Sequence, residues 1–136
     1  MKKIIVILNL LLVSFAPVFA QEEDGEEKDG NVRDKMIEYI QQRLDLNKAE
    51  AAKFSPLFIR YFKEWRTTVK QNQGDKLILK QKLVDLQLRY RPQFKDIVGE
   101  QRSNKIFNHQ ENFIRELKEI RRERRQNGGR PLLRRN

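Results

Sequence analysis

The chain has no cysteine and one histidine among its 136 residues. The first absence removes any disulfide framework, so stability has to come from packing. It also removes the acylated cysteine on which a lipoprotein depends. The second leaves no ligand set for a transition metal, because a lone imidazole without thiolates or clustered carboxylates does not close a coordination sphere. His109, between Asn108 and Gln110, reads as part of a solvated helix face. Serine is scarce as well: Ser14, Ser55 and Ser103 all lack the glycine-flanked elbow of a hydrolase nucleophile. No glycine-rich loop precedes a helix, and Gly128-Gly129 follows one instead. In "RELKEIRRERR" the acids alternate with bases, and Glu119 and Glu123 have basic neighbours a turn away, as on an ion-paired solvated face. The expectation is a protein that is not an enzyme and that takes no cofactor and no metal.

The one long apolar run lies at the start. "MKKIIVILNLLLVSFAPVFA" places Lys2 and Lys3 before the apolar stretch Ile4 to Phe15, then Val18 and Ala20 at the small positions ahead of Gln21. This is the layout of a cleavable export signal, residues 1–20, and the run is short for a membrane span of about 20 apolar residues. The expected location is the periplasm of a bacterium. Removing Lys2 and Lys3 leaves 27 basic residues against 19 acidic ones, a net charge of +8. In the cytosol that balance points to nucleic acid. After export the available polyanions are lipid headgroups, lipopolysaccharide and acidic segments of proteins, so nucleic acid is not an expected partner.

Residues 21–31, "QEEDGEEKDGN", carry six acids and one lysine and read as an acidic flexible leader. Without them the rest of the chain holds about +13. The end, "RRERRQNGGRPLLRRN", passes from helix into a basic disordered tail, residues 127–136. The body between, residues 32–126, has no alternating pattern and reads as four helices. The first, about Val32 to Leu44, aligns Met36, Ile37, Ile40 and Leu44. The second opens on Asn47, whose side chain caps the first turn while Glu50 reaches back, a capping-box spacing. Its stripe is Phe54, Phe58, Tyr61, Trp65 and Val69, and it ends at Gly74-Asp75. The third aligns Leu79, Leu83, Leu86, Tyr90, Phe94 and Ile97 and breaks at Gly99. The fourth, about Glu100 to Gln126, aligns Ile106, Phe113, Leu117 and Ile120, with Phe107 and Ile114 beside them. Short connections favour antiparallel neighbours, so the expected fold is all-α, a thin layer of two helix-turn-helix halves. Pro56 and Pro92 lie inside the second and third helices, where each removes a hydrogen bond at a cost of about 3 kcal/mol unless packing offsets it. Both are expected to kink their helices and bend the protomer.

Basic residues also fall in stripes. Lys53, Arg60, Lys63 and Lys70 lie along the second helix, opposite much of its aromatic face. Lys80, Arg91 and Lys95, with Gln87 among them, lie along the third. Long basic side chains can cover apolar surface with their stems while their heads hold carboxylates. Arg60, Lys63, Lys70, Lys80, Arg91 and Lys95 are therefore the candidate binding residues.

The segment "LNKAEAAKF", from Leu46, resembles the motif of the Spy/CpxP-like (LTxxQ) periplasmic proteins, with Asn47 at the capping position and Glu50 at the glutamine position. "FSPLFIRYFKEWR" resembles the form of Bacteroidetes-type members, and "IVGEQRSNKIFNHQENFIRELKEIRRER" is similar to the family's second helical hairpin. The likeness covers most of the chain from Val32 to about Arg125. It departs from the pattern in the second copy, "VGEQR", where Gly99 replaces the cap and Arg102 takes the glutamine position. The resemblance implies a bent four-helix protomer paired into a cradle-shaped homodimer. It implies one of two activities. The first is ATP-independent chaperoning of unfolded or acidic envelope proteins on a basic concave surface. The second is envelope-stress sensing through a membrane-bound regulator, either a sensor kinase or an extracytoplasmic-function sigma/anti-sigma system. A binder of anionic membrane surfaces, using the basic carboxy-terminal helix and tail, ranks behind both.

Overall fold

The computed structural model describes residues 20–128. The expected signal segment, apart from Ala20, and all of the expected tail beyond Gly128 lie outside them. The described residues form four α-helices and no strand: α1 (Ala20–Arg43), α2 (Lys48–Gln71), α3 (Lys76–Val98) and α4 (Glu100–Gly128). The fold is all-α with four helices. The chain divides into two compact units, Met1–Asp34 and Lys35–Asn136, and the boundary falls within α1.

α1 starts twelve residues before the expected Val32, so helix runs through the acidic stretch taken as a leader. Glutamate has high helix propensity, and acids near a helix N-terminus meet the positive end of its dipole. Those terms act against Gly25 and Gly30, which weakened the pattern in the sequence. In the first unit Arg33 pairs with its neighbour Asp34 at 2.9 Å.

The second unit contains the core. Met36, Ile37, Ile40 and Leu44 of α1 are all buried, as their spacing predicts. From α2 come Phe54, Phe58 and Tyr61, together with Leu57 and Phe62, which the single stripe omits. α3 contributes Leu86, Tyr90, Phe94 and also Val98, while α4 contributes Ile106. Backbones approach most closely where α3 lies against α2 and α4. Tyr61 sits at the meeting point, its ring 5.5 Å from those of Phe58 and Tyr90 and 5.4 Å from Phe107. α1 reaches α4 through long side chains. Tyr39 packs edge-on to Phe113 at 5.5 Å and donates its hydroxyl to Glu116 at 3.0 Å.

Two expectations for α4 are corrected. Ile120 is 47% exposed, because the helix has by then run past the buried part of the bundle. His109 is not on a freely solvated face: its Nδ1 is buried without a hydrogen-bond partner. Desolvation, then the nearby Arg43 and Lys105, hold its pKa below the ordinary imidazole value.

α2 and α3 run unbroken through Pro56 and Pro92. Both prolines are exposed, and so are Ala52 and Leu88, whose carbonyls lose the amide partner four residues on. Water can take the place of that partner, which offsets part of the proline cost.

Candidate binding surface

The motif segment is a junction between three helices. α1 ends in a Schellman arrangement: Asp45 adopts a positive φ of 51°, Leu46 N–H donates to Gln41 O at 3.1 Å and Asp45 N–H to Gln42 O at 3.2 Å. Leu46 packs against the core as the apolar residue that closes this motif. Asn47 then opens α2. Its side chain accepts from Glu50 N–H at 2.8 Å, while Glu50 Oε1 accepts from Asn47 N–H at 3.2 Å. This is the reciprocal box that the spacing predicts.

Glu50 has a second partner that local spacing does not reveal. Arg102 of α4 donates to both of its carboxylate oxygens, with Nη1 at 3.2 Å from Oε1 and Nη2 on Oε2. The same guanidinium reaches Val98 O at 2.8 Å and Leu44 O at 3.5 Å. Glu50 near the start of α2 and Arg102 near the start of α4 thus form one ion pair. Arg102 and the Asn47 amide hold the Glu50 carboxyl below its ordinary pKa. Across the bundle Arg89 pairs with Glu64 at 2.6 Å, and Tyr90 donates to the same carboxylate. Glu119 and Glu123 are exposed.

The six candidate binding residues Arg60, Lys63, Lys70, Lys80, Arg91 and Lys95 are all exposed. Arg60 is close enough to Tyr90 to oppose the burial that raises the pKa of that hydroxyl. Lys95 approaches Glu100 at 3.8 Å, a solvent-exposed pair of small energetic weight. Lys80 lines a groove. That groove, about 280 Å³, runs along the amino-terminal half of α3 between Trp65 of α2 and Gln110, Glu111 and Ile114 of α4. Its apolar surface comes from Trp65, Leu79, Leu83, Val84 and Ile114, and Trp65 is stacked on Phe62 at 5.7 Å.

Gln110 carries no signal in the sequence, yet it is 1% exposed and accepts the Tyr61 hydroxyl proton at 2.7 Å. Its Nε2 is buried with no partner. Around the groove α3 is apolar on several sides at once, with Leu77 81%, Leu88 50% and Val84 45% exposed. Among the described residues no cluster of His, Asp or Glu is arranged to hold a metal ion. None of the described helices is long and apolar enough to cross a membrane.

The chain matches no protein-family model, no curated protein and no solved structure.

Proposed function

We propose that the chain is a Spy/CpxP-like chaperone of the periplasm, which holds unfolded envelope proteins without ATP and works as a homodimer. The observation that carries this reading is that α2 and α3 expose two kinds of side chain. Arg60, Lys63, Lys70 and Lys80 offer positive charge, and Leu77, Val84 and Leu88 offer apolar surface. Exposed apolar side chains on such a surface mark a place for association, and the basic residues select acidic, apolar-containing chains. Long-range attraction gathers clients, and it weakens as the screening length falls from about 10 Å at 0.1 M salt to about 3 Å at 1 M.

The test is suppression of client aggregation at several-fold molar excess, with and without charge reversal at Arg60, Lys63 and Lys70. The parent is expected to protect. The reversed variant should protect less while its circular dichroism stays helical. Equal protection by both, or none by the parent, removes the chaperone reading and favours action on a membrane-bound stress regulator.

A second reading has one observation in its favour. Ile120 is exposed near the end of α4, and Lys118, Arg121, Arg122 and Arg125 are exposed together on another side of the same helix. An exposed apolar residue opposite a basic helical face suits an anionic lipid surface. Co-sedimentation with vesicles rich in phosphatidylglycerol, lost on Arg121→Glu with Arg122→Glu, would support it.

A further inference from the structure

We infer that one face of α3 is a docking seam for an amphipathic helix of a client protein, antiparallel to α3 and acidic in its first turns. The inference rests on the proposed chaperone reading and names the part of a client that is held. Leu77, Gln81, Val84, Leu88, Arg91 and Lys95 are all exposed, and they succeed one another in alternating steps of four and three residues. That is the a/d spacing of a coiled-coil seam, a repeat that the surface of another helix matches. From Leu77 to Lys95 it runs about 27 Å at 1.5 Å per residue, about five helical turns. By helical phase it lies on the side of α3 away from buried Leu86, Tyr90 and Phe94, so the core makes no use of it. Among the described residues six large hydrophobics are exposed, and four of them, Leu77, Ile78, Val84 and Leu88, fall on this face or at its edge. Exposed apolar residues scattered singly are ordinary, whereas a stripe of them marks an interaction site.

The seam is graded in charge, and the grading selects the occupant. Leu77, Val84 and Leu88 surround Gln81 in its amino-terminal part, and Arg91 and Lys95 end it, with no acid in line. Among the described residues no acid pairs with Arg91. Lys95 has Glu100 at 3.8 Å, an exposed pair that a client carboxylate can replace at small cost. Carboxylates of the occupant therefore belong at the carboxy-terminal end of α3. Acids are also best placed in the first turn of a helix, against the positive end of its dipole. Both conditions are met together when the occupant starts where α3 ends, which makes the two helices antiparallel. Gln81 takes the polar a position that sets register, and a facing amide suits it. Lys80 and Asp85 flank the seam on opposite sides and favour an acid and a base beside them.

The probe is a fluorescein-labelled peptide of about three heptads, with leucine at a and d, one asparagine at a central a position and glutamates in its first two turns. Anisotropy should show saturable binding, and difference circular dichroism should show the peptide gaining helix. A peptide of the same composition with leucine at every second position should bind about tenfold weaker or more, since it buries fewer leucines on the seam. Moving the glutamates to the other end should weaken binding several-fold at low salt, and Arg91→Glu with Lys95→Glu should abolish that preference. These positions are exposed, and circular dichroism of each variant checks that the helices persist. The inference is overturned if the every-second-residue peptide binds equally well, or if the charge reversal leaves the preference between the two glutamate placements unchanged. It is overturned too if the peptide halves the sedimenting mass, which assigns the seam to a second copy of the chain. Suppression of aggregation without peptide binding removes the seam and leaves the chaperone reading. Peptide binding without suppression removes the chaperone reading and leaves the seam as a dock for a helical partner.

Discussion

Tyr61 is the residue on which most of the second unit converges. Its ring touches partners from three helices, and its hydroxyl is buried on Gln110. Burial in apolar surroundings pushes its pKa above the usual phenol value, so it acts as a neutral donor. Tyr61→Phe removes the donor and strands the Gln110 oxygen, which should cost about 1–3 kcal/mol in denaturant unfolding. Adding Gln110→Leu should recover part of that loss, since removing both partners leaves nothing unpaired.

His109 makes the opposite kind of prediction, one that depends on pH. Its folded pKa lies below the ordinary 6.5, through desolvation and the charges of Arg43 and Lys105. The unfolded chain therefore binds the proton first. The associated stability is complete above about pH 6.5 and is lost as pH falls through the lower folded value. Thermal midpoints taken between pH 7.5 and 5 should fall for the parent and stay flatter for His109→Asn. Glu50 and Glu64 titrate lower, both held below their ordinary value of 4.5, so their losses belong to a more acidic window.

Among the elements, the junctions carry the specificity. Glu50 belongs at once to the start of α2 and, through Arg102, to α4. Glu50→Gln keeps an acceptor for the Asn47 amide but gives up the ion pair, so its thermal midpoint should fall less than that of Glu50→Ala. In the Glu50→Gln background, Arg102→Gln should cost less than it does in the parent, and a double-mutant cycle measures that coupling. Gly99 is a junction of another kind, one residue between α3 and α4, with φ 84° and ψ 168°. A side chain there would meet no atom within 4 Å. The constraint is backbone conformation rather than space, and Gly99→Ala should destabilise by about 1–3 kcal/mol.

Much of this level was legible in the sequence where the cause is local. Asn47 and Glu50 sit three residues apart, and a box needs nothing more. The stripe Met36, Ile37, Ile40 and Leu44 emerges from helical periodicity alone. Leu57 and Phe62 were missed because α2 is covered from more than one side, so its buried face is wider than one stripe. Arg102 was noticed only as a departure from a motif, because its partner lies 52 residues away.

At the scale of the whole molecule, the surplus of basic residues and the exposed apolar side chains of α3 bear on association. In the proposed homodimer, pairing covers part of the apolar surface that a thin helical layer leaves exposed as a single chain. Sedimentation equilibrium at micromolar concentration should then give twice the mass of the single chain. Leu77→Glu with Leu88→Glu, at exposed positions of α3, should weaken client protection while helicity and sedimenting mass stay unchanged. A parent that sediments as a stable monomer removes the dimer from the proposal.

The all-α class, the four-element order, the turns at Asn47, Asp75 and Gly99 and most of the core follow from the sequence by itself. Each depends on neighbours within a turn or two of the chain, and propensity, capping and periodicity act at that range. Tertiary structure alone decided which polar residues are inside and which apolar ones are out. Gln110 is buried because Tyr61 arrives from another helix, and Glu50 is paired because Arg102 does. The exposure of Ile120 and Leu77 follows where the neighbouring helices stop covering α4 and α3. The groove beside Trp65 likewise exists only where α2, α3 and α4 meet, and no single helix contains enough of it to be read in advance.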